Sequence, residues 1–284
     1  MARGGSPTVR RRELGTLLRT LRTDRGLTGE DVTERLLFSP TKLSRIETGQ
    51  SGASARDIRD LCDLYEVTDA ERENLMTLAR EGKQRGWWQH YDLPYGTYVG
   101  LEAEAESIHT YMSGVVPGLL QTEEYARAML RAEVQPFSPE TLRQRSQARL
   151  DRQAHFAEGV DGRRQEYHGV LDEAALRRAV GGRRVMAAQL RRLAEWATQD
   201  NVTVQVIPFE TGAHPAMESN FSILNFEQPF VSGIVYVEGL VGNIYLERQA
   251  DLERYRQIFS RLRSIALSPS DSISFITKAS TSYS

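Results

Sequence analysis

Leu14, Leu17, Leu18 and Leu21 recur three and four residues apart in ELGTLLRTLRTDR, which predicts one apolar helical stripe over residues 13–25. Gly26 closes that helix. Thr28 caps the next, whose apolar positions are Val32, Leu36 and Leu37. A turn at Leu37-Phe38-Ser39 leads into SPTKLSRIETGQ. There Ser39 is the capping residue, Pro40 fits the first helical position, Leu43 and Ile46 face inward, and Gly49 stops the helix. Two further helices follow, Ala55 to Tyr65 and Asp69 to Arg80, with Ile58, Leu61, Leu64, Leu75 and Leu78 turned to the core. Two short helices joined by a tight turn inside a compact helical unit are the geometry of a helix-turn-helix.

After a polar stretch, EGKQRG, the pattern changes. Trp87, Trp88, Tyr91, Tyr95 and Tyr98 are dense enough for an interface or a buried joint; base stacking is disfavoured because no Lys or Arg interleaves them. VVPGLLQTEEYARAML reads as a Pro-Gly turn and then a helix capped by Thr122. Tyr111, Met112, Val115, Val116, Leu119 and Leu120 are too apolar for a solvated segment, so Val115 to Tyr125 is expected at a joint between protomers or against a partner. From Tyr167 the runs YHGVLDE, VTVQVIPF, FSILNF, SGIVYVE and NIYLE are β-branched and aromatic, hence strands. Helices over Val185 to Thr198 and Asp251 to Ala266 complete a βαβ-like unit and close the domain. The expected fold is an all-α helix-turn-helix domain of five helices (1–80), a hinge (81–86) and an α+β domain (87–284). The last is helical over 87–160 and holds a mixed sheet of about five strands over 165–284.

Charge sharpens this division. Residues 1–48 carry ten Lys or Arg against six Asp or Glu, whereas 87–284 carry twenty against twenty-four. A basic leading end on an acidic body suits a small polyanion-binding head. The single cysteine, Cys62, lies among Ile58, Leu61 and Leu64 and excludes an internal disulfide framework. No stretch approaches a membrane span, and the basic N-terminus lacks the apolar segment of a signal peptide, so a cytoplasmic location is expected.

GLTGEDVTERLLFSPTKLSRIETGQ resembles the XRE, or phage-repressor-like, helix-turn-helix. The resemblance implies an ion pair between Arg22 and Glu47 that ties the unit together. It also implies a recognition helix whose N-terminal residues enter the major groove. Thr41, Lys42 and Arg45 then lie on the outer side, with Ser44 flanking. Arg45 is the expected bidentate contact to guanine. Lys42, Ser39 and an exposed basic run, Arg10, Arg11 and Arg12, are expected on phosphates. Two departures stand out: Gly29 replaces a long polar side chain, and Leu37 stands where relatives place a turn glycine.

VVPGLLQTEEYA, LDEAALRRAVGG, QLRRLAEWATQDNVTVQVIPFETGAH and VYVEGLVGNIYLE resemble the C-terminal domain of WhiJ-like, antitoxin-like actinobacterial regulators. That resemblance implies a transcriptional regulator, often encoded beside a small partner protein. The expected partners are double-stranded DNA with a palindromic operator, a second copy in a homodimer, and a small cognate protein; no membrane is expected. The alternative is an antitoxin-like interaction protein whose DNA binding serves autoregulation.

No enzymatic activity, cofactor or metal is expected. The five histidines are scattered without zinc spacing, and neither Gly-x-Ser-x-Gly nor a P-loop occurs. The strand, GAH loop and strand faintly resemble phospholipase-D-like sensors, but His214 lacks a lysine two residues on. PFETGAHPAMESNF remains either a binding loop around His214 or a plain strand connection. Glu173 and Glu238 end strands and either line the same cavity or are solvated.

Overall fold

The computed structural model describes residues 6–91, 93–159, 162–227 and 233–283. Two compact units result, one running to Glu104 and the other starting at Ala105.

The first unit contains α1 (Pro7–Asp24), α2 (Gly29–Leu36), α3 (Pro40–Glu47), α4 (Ala55–Leu64), α5 (Asp69–Glu81) and α6 (Gly96–Glu102). Helices this short are marginal in isolation. Here the first five each begin on a hydroxyl side chain that accepts a free backbone N–H: Ser6, Thr28, Ser39, Ser54 and Thr68. Asp31, Asp57 and Glu71 return the bond in capping boxes. Their inner faces share one core of Leu14, Leu18, Val32, Leu43, Ile46, Ile58, Leu61 and Leu75, with Cys62 buried among them.

Two features differ from the sequence expectation. α1 starts at Pro7, not Glu13, because Ser6 caps it and Pro7 occupies its first turn. The arginines at 10–12 are therefore helical. The aromatic stretch after α5 forms a 3-10 turn, Trp87–Tyr91, and leads into α6. Trp88, Tyr91 and Tyr98 are buried in this first unit. Gly100 of α6 lies against Trp88 and the Thr8 hydroxyl, and Ser6 Oγ donates to Gly100 O at 2.7 Å.

The second unit contains β1 (Ser107–Met112), α7 (Glu123–Arg131), α8 (Pro139–Glu158), β2 (Glu166–Asp172), α9 (Ala174–Arg177), α10 (Arg183–Trp196), β3 (Val202–Ile207), β4 (Phe221–Asn225), β5 (Ile234–Glu238), β6 (Asn243–Leu246), α11 (Gln249–Ile265) and α12 (Pro269–Thr281). The sheet is mixed and six-stranded among the described residues, in the order β3-β2-β1-β4-β5-β6. β1, β2 and β3 run parallel; β4, β5 and β6 continue antiparallel. Five strands match the five runs read from Tyr167 onward. The sixth, SIHTYM, lies in the centre of the sheet, within the stretch expected to be helical. Both of its faces are covered, so Ile108 and Thr110 are buried on one side and Tyr111 on the other, and no apolar/polar alternation marks it. α11 closes one face with Leu252, Phe259 and Leu262 against Tyr111, Val170, Phe221 and Ile223. α12 packs on α10 and β3, and Ser272 Oγ and Leu267 N bond the outer backbone of β3, capping that edge.

His109 and His168 are register partners on β1 and β2 and both meet Phe259. His168 Nε2 is 2.8 Å from Gln205 Oε1. Burial foremost, then Arg263 and His109, push the His168 pKa down to about 4, against a hydrogen bond to Gln205 that raises it.

Leu37 is the C-cap of α2 and adopts a left-handed conformation, φ 53°, with its side chain 91% exposed. It is not part of the inner stripe of the second helix. A non-glycine residue there costs about 1 kcal/mol, and no packing offsets the strain. Leu37→Gly is expected to raise the thermal midpoint; a lowered midpoint would show that the exposed side chain matters. The depressed His168 pKa sets a second expectation. The unfolded chain takes up the proton near pH 6.5 and the folded chain only near pH 4, so stability falls as pH drops through that window. His168→Gln should flatten the melting midpoint between pH 6.5 and 4; an unchanged slope excludes His168 as the source.

Candidate functional site

α3 presents two faces. Leu43 and Ile46 are buried, while Thr41, Ser44 and Arg45 are exposed. Ser39 is exposed as well, its Oγ accepting from Lys42 N at 3.1 Å. Arg45 forms no ion pair among the described residues, and its side chain is exposed on the outer face of the helix.

The mounting of α3 is rigid. α1 approaches it at Gly15, where an added Cβ would stand 2.5 Å from Ile46 O and 2.6 Å from Glu47 O. Two turns on, Arg22 Nε and Nη2 donate to Glu47 Oε1 and Oε2 at 2.7 and 3.0 Å. Both side chains are largely buried, and Arg22 Nη1 also donates to Leu27 O at 2.9 Å, holding the turn before α2. The hydrogen bond to Glu47 raises the Arg22 pKa. Gly49, at φ +66°, closes α3 directly against the Arg12 backbone.

The other expected phosphate ligands are more engaged. Lys42 Nζ lies 2.6 Å from Asp57 Oδ1 and 3.8 Å from the Phe38 ring centre, although its side chain is 40% exposed. It bridges α3 to the cap of α4, a role the sequence pattern did not suggest. Arg10, Arg11 and Arg12 are not an exposed run, because α1 extends over them. Arg12 is buried at 5% exposure. Arg10 bonds Glu13 and lies 3.1 Å from Glu81 of α5. Arg11 donates to Pro7 O and Thr8 Oγ1, and burial lowers its pKa.

The body candidates separate. Leu119 and Leu120 are buried within the second unit, in a 3-10 turn (Gly118–Leu120) packed on α8 and α10. Gln189 Nε2 donates to Leu120 O and Gln153 Nε2 to Gly118 O. They are core and are not available to a partner. His214 is also inward: its side chain is 3% exposed, Nε2 lies 3.6 Å from Asp172 Oδ2 and 3.4 Å from Tyr111 OH, and Nδ1 accepts from Ala216 N. Burial first and Asp172 second raise the Tyr111 pKa. Glu173 is buried, accepting from Phe209 N at 3.0 Å and Arg177 Nε at 2.8 Å. Glu238 is exposed at the end of β5, three strand positions from β2 or about 14 Å at the usual strand spacing, so it does not share a site with Glu173. Asp172 and Tyr111 orient His214; in the sequence Tyr111 reads only as part of an apolar joint segment and Asp172 only as the end of a strand, so neither is expected in that role.

No helix among the described residues is long and apolar enough to cross a membrane. Two family models match the sequence. One, described as a helix-turn-helix domain, covers residues 13–75; the other, described as Domain of unknown function (DUF5753), covers residues 95–278. No curated protein and no solved structure gives a significant match.

The two ion pairs on α3 differ in burial, and this sets a measurable contrast. Glu47→Ala leaves Arg22 buried without its partner and is expected to cost about 3–5 kcal/mol. Asp57→Asn, at the more exposed pair with Lys42, should cost within about 1 kcal/mol. Urea denaturation of both variants checks this, and equal losses would refute the special place given to the Arg22–Glu47 pair.

Proposed function

The chain belongs to the DUF5753 family and carries a helix-turn-helix head, and we propose that it is a sequence-specific DNA-binding transcriptional regulator of the XRE type. The observation that carries this reading is the outer face of α3, where Arg45, which forms no ion pair among the described residues, stands beside exposed Thr41 and Ser44. Arg45 takes the guanine edge in the major groove, and Thr41 and Ser44 contact neighbouring bases. Ser39 and Lys42 face phosphates, Lys42 sharing its ammonium with Asp57. Arg10, Arg11 and Arg12 leave the phosphate set, since α1 and its neighbours already engage them.

The second unit mediates dimerisation and senses a partner protein or small ligand; no catalytic step is assigned to it. A homodimer would place two heads on half-sites one helical turn apart, which makes the operator palindromic. The acidic balance of residues 87–284 favours this division, because a negative body is repelled by the phosphate backbone while the basic head is drawn to it. The antitoxin-like reading, with a small cognate protein bound by the body, is favoured by the surface described in the next subsection.

Duplexes selected by the full chain from a randomised pool give the test. Arg45→Ala should weaken binding to the selected site about tenfold and relax preference at one base pair per half-site. Unchanged preference in a competition assay, with the fold intact by circular dichroism, would remove Arg45 from the readout.

A further inference from the structure

Seven large apolar side chains stand exposed among the described residues, and five of them lie in or beside two loops: Phe209, Met217, Leu240, Val241 and Ile244. The strand order brings those loops to one edge of the sheet. β5 runs in the same sense as β1, since each pairs antiparallel with β4. The carboxyl ends of β1, β2, β3 and β5 therefore share an edge, which carries the β3–β4 connection (208–220) and the β5–β6 hairpin (239–242). Two register steps beyond Ser222↔Tyr236, Asn220 comes opposite Glu238, so the two loops are neighbours.

The 208–220 loop is fastened from below. Glu173 accepts from Phe209 N, the buried His214 lies between Asp172 and Tyr111, and Asn220 Oδ1 accepts from Ser113 N and Oγ at 2.8 and 2.9 Å. Gly239 N donates to Gly242 O at 3.0 Å, closing the hairpin with Leu240 and Val241 at its tip. Such tips ordinarily carry Asn, Asp or Gly. Leu240 and Val241 are fully exposed and contribute nothing to this chain's core.

Within the two loops the charge has one sign. Glu210, Glu218 and Glu238 are exposed, and no Lys or Arg occurs in 208–220 or 238–243. Of the nearby cations after β2, Arg177 bonds Glu173 and faces Phe275 of α12, while Arg178 is exposed. Arg248 is bonded to Asp251. Contact between two copies of this surface would set acid against acid. DNA and anionic lipid are repelled for the same reason.

We propose that the loops 208–220 and 239–242 form a docking surface for a partner protein segment that presents apolar side chains flanked by Lys or Arg. The proposal rests on reading the second unit as partner-binding and supplies the place and chemistry of that contact. Phe209, Met217, Leu240 and Val241 provide the apolar contact, and the three glutamates select the sign of the partner's charge.

The test uses the full chain with methyl-labelled Met, Leu, Val and Ile, and two synthetic amphipathic peptides, one Leu–Lys and one Leu–Glu. The Leu–Lys peptide should shift the methyl signals of Met217, Leu240, Val241 and Ile244. The combined Met217→Ser, Leu240→Ser and Val241→Ser variant should bind it about tenfold more weakly. The combined Glu210→Lys, Glu218→Lys and Glu238→Lys variant should prefer the Leu–Glu peptide, a readout that survives if the serine variant fails to fold. Equal binding by wild type and variants, or shifts confined to other methyls, overturns the proposal. A change from dimer to monomer in the serine variant assigns the surface to a second copy and also overturns it. Affinity for the selected duplex is measured on the same proteins. Absence of peptide binding in the wild type with duplex binding intact rejects the docking surface alone, and absence of duplex binding in the wild type rejects the DNA reading alone.

Discussion

Everything proposed for the head depends on how closely α1 can approach the end of α3. At Gly15 there is no room for a side chain, because the carbonyls of Ile46 and Glu47 occupy the space a Cβ would need. That contact brings Arg22, two turns further along α1, within bidentate reach of Glu47. The pair then holds Leu27 O through the remaining guanidinium nitrogen. One glycine and one ion pair thus set the tilt of α3, the turn into α2 and the direction in which Arg45 points. Affinity for bases follows from a helix whose outer face stays free because its inner face and C-terminal turn are over-determined.

The helical half was largely legible because its boundaries are written in side chains that cap. Ser39-Pro40 marks α3, and the same dipeptide starts α1 at Ser6, α8 at Ser138 and α12 at Ser268. Reading it only where a hydrophobic stripe followed missed the early start of α1 and so mistook Arg10–Arg12 for an exposed run. β1 was not legible for the opposite reason. SIHTYM carries polar residues toward both faces, and its burial comes from β2, β4 and α11, all of which lie far along the chain. Leu119 and Leu120 show the same limit. Their apolarity was read correctly, but whether a partner or the chain's own α8 and α10 covers them is a property of the tertiary fold.

Burying irregular backbone in the second unit creates a need that glutamines meet. Gln189 accepts from Thr122 N and donates to Leu120 O, Gln165 donates to Ala105 O, and Gln205 donates to Leu267 O. Each side chain supplies an amide group to a segment that has left the helix or sheet ladder. In a sequence such residues read as solvated side chains. In the fold they are internal staples, and they explain why the turn around Pro117 is fixed even though no regular element contains it.

His214 and the exposed apolar loops are two sides of one arrangement. A histidine in a GAH loop suggests a ligand or a catalyst, yet its ring is turned inward onto Asp172 and Tyr111, where it anchors the loop to the sheet. Because the anchor and the Glu173–Phe209 bond consume the polar groups beneath, what remains for the outside is Phe209, Met217 and their neighbouring glutamates. A loop loosely attached could fold its apolar side chains inward and remove them from water; a fastened one cannot. Exposure of this kind is retained at a cost in hydration of roughly 25 cal/mol per Å² of apolar surface, and the acidic rim offsets the risk of self-association. On the function proposed, the basic head and the acidic, apolar edge divide recognition by charge, so that neither surface competes for the partner of the other.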